Sequence, residues 1–242
     1  MEVILSWEEN VFLWIAEDGY LLCGCKCLEG GRMMSDVKFS CGDCGGTNCN
    51  EGDKTYPGFR PTTHMDEKVK EEAMAAYNEP ENHNIMVQAA DVEYEGYGRL
   101  TRVEETIEFA KRMGFKKIGI ATCVGLIRET RMLTKILRHH GFEVYGIGCK
   151  VGAQPKTSVG IREECCAVGA NMCNPILQAK LLNAEKTDLN IVMGLCVGHD
   201  SLFYKYAEGL TTTMVVKDRV TGHNPVAAIY NAESYYKKKL FS

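Results

Sequence analysis

Three short phrases in the chain place a cysteine in the same setting. IGIATCVG, YGIGCKVG and VMGLCVG end at Gly125, Gly152 and Gly198, and each sets a cysteine (Cys123, Cys149, Cys196) directly after an apolar run. A fourth, Cys173, immediately precedes Asn174-Pro175, the opening of a helix, where backbone amides and the helix dipole favour a thiolate over a thiol. Thiolates are soft ligands and nucleophiles. Brought together, four of them suit an iron–sulfur cluster, with zinc as the alternative. Any one of these cysteines could equally be a small buried hydrophobe; four in matching positions fit that reading less well.

A second set lies near the amino terminus. Cys41, Cys44 and Cys49 form a C-x2-C-x4-C run whose glycines let the backbone wrap closely around a metal. His64 is the nearest candidate for a fourth ligand. His199 and His223 stand near the expected rim as accessory proton shuttles, with Asp200 and Asp218 able to orient an imidazole; Asp200 reads equally well as a helix N-cap. Arg128, Lys150 and Arg219 also fall near strand ends, where they could meet an anionic ligand. Cys165 and Cys166, beside Glu163 and Glu164, read as packing residues. Cys23, Cys25 and Cys27 alternate too closely for a tetrahedral zinc site.

The elements that must position these groups follow from periodicity. Apolar runs at 115–122, 142–148, 189–195 and 211–216 predict buried parallel strands. Between and before them come helical patterns: a short one over 66–77, a second to about Tyr94, and one opened by the capping box Thr101–Glu104 and closed at Gly114. A further helix runs from Leu126 to Gly141, and Asn174-Pro175 and Asn224-Pro225 predict two more starts. Strand and helix alternation predicts an α/β fold: a doubly wound, mostly parallel sheet with a small cysteine-rich amino-terminal loop module. The carboxyl ends of such strands share one rim, where distant cysteines become neighbours.

Composition narrows the function. The 242 residues are 45% hydrophobic with a net charge of −4, enough for a packed core and without the basic footprint of a nucleic-acid or anionic-membrane binder. Twelve cysteines without a signal-peptide pattern predict a cytoplasmic protein whose thiols are ligands or redox groups. There is no Gly-x-Gly-x-x-Gly after a predicted strand and no Walker-type run, so no motif supports a bound nucleotide. Three regions are expected: an extension at 1–33, a metal-binding loop module at 34–65, and the α/β domain at 66–242. The extension ends in Glu29-Gly30-Gly31-Arg32 before Met33-Met34, a string that ribosome-binding-type DNA would encode, and is read as non-native or disordered.

The motifs CGDCGGTNC, TTHMDE, ADVEYEGY, TRVEETIEFAKRMG, IGIATCVGL, GANMCNPILQAKLLN, GLCVGHDSLFYKY and VVKDRVTGHNPVAAIY resemble those of the domain of unknown function 1847 family, from about Met34 to the carboxyl terminus. The resemblance implies a prokaryotic protein with a metal centre, and a cysteine before TTHMDE where this chain has Arg60. It supplies no reaction. Two main classes remain: a redox or iron–sulfur protein acting on a small molecule or an electron-transfer partner, or a non-catalytic metal-binding protein with zinc in the Cys41 module and the rim cysteines buried or serving as a weaker site. A cysteine-nucleophile enzyme is a third possibility. Homo-oligomerisation is open.

Overall fold

The computed structural model describes residues 38–52 and 55–242, together with two short strands, β1 (Phe12–Ile15) and β2 (Leu21–Gly24), paired antiparallel with Phe12 opposite Gly24. Apart from those strands, the expected extension at 1–33 lies outside the described residues. The chain divides into two compact units, Met1–Ala75 and Ala76–Ser242. The division falls in a helix, where the sequence reading sets it before Asp66.

In the first unit the cysteine loop makes two 3-10 turns, Cys41–Asp43 and Asn48–Asn50, followed by α1 (Pro61–His64) and most of α2 (Glu67–Ala76). Ser40 opens the first turn with a reciprocal cap: its Oγ accepts from the Gly42 amide, and its own amide donates to Asp43 Oδ2 at 2.7 Å.

The second unit begins with α3 (Pro80–Gly96) and α4 (Arg102–Arg112). Its sheet contains β3 (Lys117–Thr122), β4 (Glu143–Gly148), β5 (Leu189–Met193) and β6 (Leu210–Val215), ordered β4-β3-β5-β6 and parallel throughout. The connections carry α5 (Ile127–His139), α6 (Pro175–Ala184) and α7 (His199–Tyr206), and α8 (Val226–Tyr230) and α9 (Lys237–Leu240) follow β6. Thr101 caps α4 as the sequence predicts, and the Asn174 side chain caps α6. Helix α8 differs: its N-cap is Pro225, so Asn224 stands one place outside and makes no side-chain cap.

Side-chain alternation divides the core into two layers. Ile118 and Ile120 of β3, with Leu189, Ile191 and Met193 of β5, pack against Ile107 and Ala110 of α4 and Leu133 and Leu137 of α5. Ala121, Ile147 and Val192 face the other way, onto Ala179 and Leu182 of α6 and Phe203 of α7. Helices therefore cover both faces, as an all-parallel sheet requires. Gly119 belongs to the second layer, where an added Cβ would lie 2.4 Å from Asn190 Oδ1 and 2.9 Å from Leu182 Cδ2. Among the described residues, no helix is long and apolar enough to cross a membrane.

Candidate functional site

From β3 the chain crosses to β4 on one side and then returns to β5 on the other. The strand order thus reverses between β3 and β5, the place where ligands bind in open parallel sheets. Cys123 follows β3 directly and extends the parity of Gly119 and Ala121, so it enters the layer under α6 and α7. Cys149 follows β4 in the same layer. Both are buried, and their amides continue the ladder: Cys123 N–H donates to the Met193 carbonyl at 3.0 Å, and Cys149 N–H to the Thr122 carbonyl at 2.8 Å. Cys173 reaches them because the Asn174 amide donates to the Cys149 carbonyl at 2.7 Å, pinning the start of α6 to the end of β4.

The sulfurs of Cys123, Cys149 and Cys173 form a row, with Cys149 hydrogen-bonded to both neighbours. Cys149 has one S–H to donate, so it serves one of the two neighbouring sulfurs at a time. Its pKa is driven up by its two thiolate-prone neighbours and by burial. Its own Sγ lies 3.5 Å from the Val124 amide, which donates to it.

The flanking thiols are pulled the other way. Cys123 falls to about 5, through the hydrogen bond from Cys149 first, then the Gly125 amide and Lys217, against the opposing effect of burial. Cys173 falls to about 3, through Cys149, then His199, with Lys150 adding its charge from Nζ at 3.4 Å. His199 rises correspondingly, chiefly through its bond to Cys173.

Cys196 arrives by a different turn. After β5, Gly194 adopts φ +65°, and an added Cβ there would lie 2.2 Å from Leu126 Cδ1, so the turn requires glycine on both counts. The Cys196 carbonyl then accepts from the His199 and Asp200 amides at 2.9 and 3.1 Å, starting α7 and delivering His199 to Cys173. Arg219 Nη2 donates to Cys196 Sγ at 3.2 Å, and the guanidinium is held protonated by that bond first and also by the charges of Cys123 and Cys173. Arg219 thus contacts Cys196 and feels Cys123 and Cys173 only through their charge.

The donor set is a row of three sulfurs, a fourth sulfur bonded to Arg219, and one imidazole, of kinds suited to a soft metal. As the side chains stand, no group of three or more His, Cys, Asp or Glu among the described residues is arranged to hold a metal ion. The thiols satisfy one another instead, and metal binding would exchange S–H···S contacts for metal–sulfur bonds. Beside the row, a groove of about 370 Å³ runs along the exposed β4 edge, lined by Val124, Tyr145, Gly146, Lys150 and Leu181 among others. Val124 and Lys150 border both the groove and the sulfurs.

The remaining candidates are placed elsewhere. His223 sits in a tight turn at φ +70°, its amide donating to the Asp218 carbonyl at 2.8 Å and its Nδ1 accepting from the Asp218 amide at 3.1 Å. Asp218 itself receives the Val220 and Thr221 amides and so closes the turn. Asp200 is not the N-cap of α7, which is Gly198; it lies in the first turn and accepts from the Ser201 amide.

In the first unit, Cys41 and Cys49 are exposed, and Cys44 is half-buried with Arg60 Nε donating to its sulfur at 2.7 Å. The Cys44 thiol is lowered by the Gly46 amide first and then by Arg60. His64 is exposed, with Nδ1 3.1 Å from the Gly58 carbonyl, so that nitrogen carries the proton and donates. Cys165 and Cys166 are half-buried in the 3-10 turn Glu163–Val168.

Two residues of the site escape a sequence reading. Lys217, just past β6, lies on the same rim as the cysteines and is legible by the same strand-end logic. Gln178 reads as an ordinary helix residue, yet it is fully buried and its Nε2 donates to the carbonyls of Thr122 at 3.1 Å and Ile147 at 2.7 Å. It thereby fixes the separation of the two strand ends from which Cys123 and Cys149 emerge.

An uncharacterised protein of Methanocaldococcus jannaschii is 46% identical over 185 residues, covering 76% of this chain and 92% of that protein. The family model described as "Protein of unknown function (DUF1847)" matches residues 60–214, which include the four rim cysteines, His199 and Gln178 and leave Cys41, Cys44 and Cys49 outside. The chain belongs to that family.

Proposed function

We propose that the chain is a metal-binding protein whose centre is the rim of the sheet, with Cys123, Cys149, Cys173 and Cys196 as thiolate ligands of an iron–sulfur cluster serving a redox or small-molecule reaction. The observation that carries this reading is the sulfur row: three cysteines from three separate segments meet in one crevice, ringed by Lys150, Lys217 and Arg219. Among the described residues no carboxylate hydrogen-bonds to any of the four sulfurs. A bound cluster would supply one-electron chemistry. The chain's own contribution is charge and access. The three cations offset the negative charge of the thiolates, the Val124 and Gly125 amides donate to sulfur, and the groove beside Lys150 suits a small molecule. Zinc is the alternative occupant.

Protein purified without oxygen is expected to be brown and to contain iron and acid-labile sulfide. Colourless protein with one zinc per chain would support the zinc alternative, and protein free of both metals would reject the proposal.

A second reading is favoured by the Cys173–His199 pair, which resembles the activated nucleophile of a thiol enzyme. In metal-free protein, Cys173 is expected to react with iodoacetamide at nearly the same rate from about pH 5 to pH 8, because a lowered pKa leaves it ionised across that range. An ordinary thiol would slow about tenfold for each unit below its pKa of roughly 8.5. Mass spectrometry of the alkylated peptide, with Cys173→Ser as control, reads the difference.

A further inference from the structure

We propose that in the amino-terminal loop the guanidinium of Arg60 takes the place of a metal ion, as a built-in cation around which Cys44, Gly46 and Asn48 are wrapped. Arg60 is only 2% exposed, and a buried arginine persists only where its donors are matched. Each matched donor here points into the loop: Nε to Cys44 Sγ at 2.7 Å, Nη1 to Asn48 Oδ1 at 3.0 Å and Nη2 to the Gly46 carbonyl at 2.5 Å. The Tyr56 ring lies 5.8 Å from the guanidinium carbon, within cation–π range.

The loop backbone is shaped to the same group. A Cβ at Gly46 would lie 2.7 Å from Arg60 Nη2, so the glycine provides the space the guanidinium occupies. Zinc bound to Cys44 would sit about 2.3 Å from its sulfur. Arg60 Nε already stands 2.7 Å from that atom, and the two cations cannot share the place. A C-x2-C-x4-C run, which by spacing alone suggests metal, is on this geometry a sulfur–guanidinium clasp. Cys41 and Cys49 remain exposed thiols within electrostatic reach of the arginine.

The test uses the full-length chain, stripped of metal, loaded with zinc alone and desalted. Cys41 and Cys49 are exposed, so replacing both by serine leaves the clasp intact. The double variant is expected to retain the same zinc per chain as the unmodified protein. Arg60→Cys, which removes the guanidinium and supplies a fourth thiolate, is expected to gain one zinc per chain, and adding the two serines to it should abolish the gain. A double-serine variant that binds one zinc fewer than the unmodified protein overturns the proposal, as does an Arg60→Cys protein that gains none. Should Arg60→Cys fail to fold, the first comparison still decides whether the loop holds metal. Neither result depends on the rim, whose zinc content is common to both members of each pair.

Discussion

Cys196→Ser, purified without oxygen, is expected to lose most of its iron and its colour while keeping its fold. A hydroxyl is a harder and far less acidic donor than a thiol, so it is a poor ligand for iron in a cluster. Loss of an outer-shell partner alone typically lowers metal affinity roughly 10- to 100-fold, and loss of a direct ligand should exceed that. Cys196 is only half-buried, and its backbone role as the carbonyl that starts α7 is unchanged by the substitution. The thermal midpoint of the metal-free variant should therefore stay within a few degrees of the parent. Cys44→Ser is the matching control. It removes the sulfur that receives Arg60 Nε and should loosen the loop, lowering its thermal stability, while rim metal is retained. Iron and zinc per chain, measured for both variants, decide the matter. If Cys196→Ser keeps its full metal content and Cys44→Ser loses all of it, the centre is not at the rim.

Phe203→Ala is expected to cost the most stability of any single change considered. The ring is fully buried in the layer that contains Ala179, Leu182 and Val192, and it is the one fully buried side chain of α7. Truncating a buried phenylalanine removes transfer energy and leaves a cavity, together about 3–5 kcal/mol. For a unit of this size that corresponds to a fall of roughly 10 °C in thermal midpoint. The loss should also reach the site. Helix α7 begins at His199, so a loosened helix weakens the Cys173–His199 bond and slows iodoacetamide labelling of Cys173 at acidic pH. Val197→Ala, at a side chain 93% exposed, should change stability by less than about 0.5 kcal/mol. Equal midpoints for the two variants would mean that α7 is not held by this packing.

The sheet and its rim were legible because the signals were local and repeated. Each of the four apolar runs matches a strand to within about two residues, and three of them end on the same cysteine-then-glycine phrase, so their convergence followed from parallel topology alone. Asn174 was readable for the same reason: an asparagine before proline caps the helix that it appears to cap. What could not be read were relationships between segments that lack a shared pattern. Nothing in the sequence marks Gln178 as the residue that holds two strand ends together, because a helical glutamine normally faces water. His223 looked like a rim histidine by position, yet its backbone turns through the left-handed region and its ring nitrogen is used locally. The spacing of Cys41, Cys44 and Cys49 carried a metal expectation, and the group that now fills that loop comes from Arg60, outside the motif.

The strand order also sets a timetable. A ribosome delivers β3 and β4 first, and with them Cys123 and Cys149, while the opposite edge of β3 stays unpaired until β5 has been made. Cys173 follows only with the start of α6, Cys196 only after β5, and Arg219 only after β6. A chain made only as far as β4 therefore brings together at most two of the four rim thiols. If the rim holds the proposed centre, its loading would come after synthesis is nearly complete, and the metal donor would have to recognise the finished fold rather than the emerging chain.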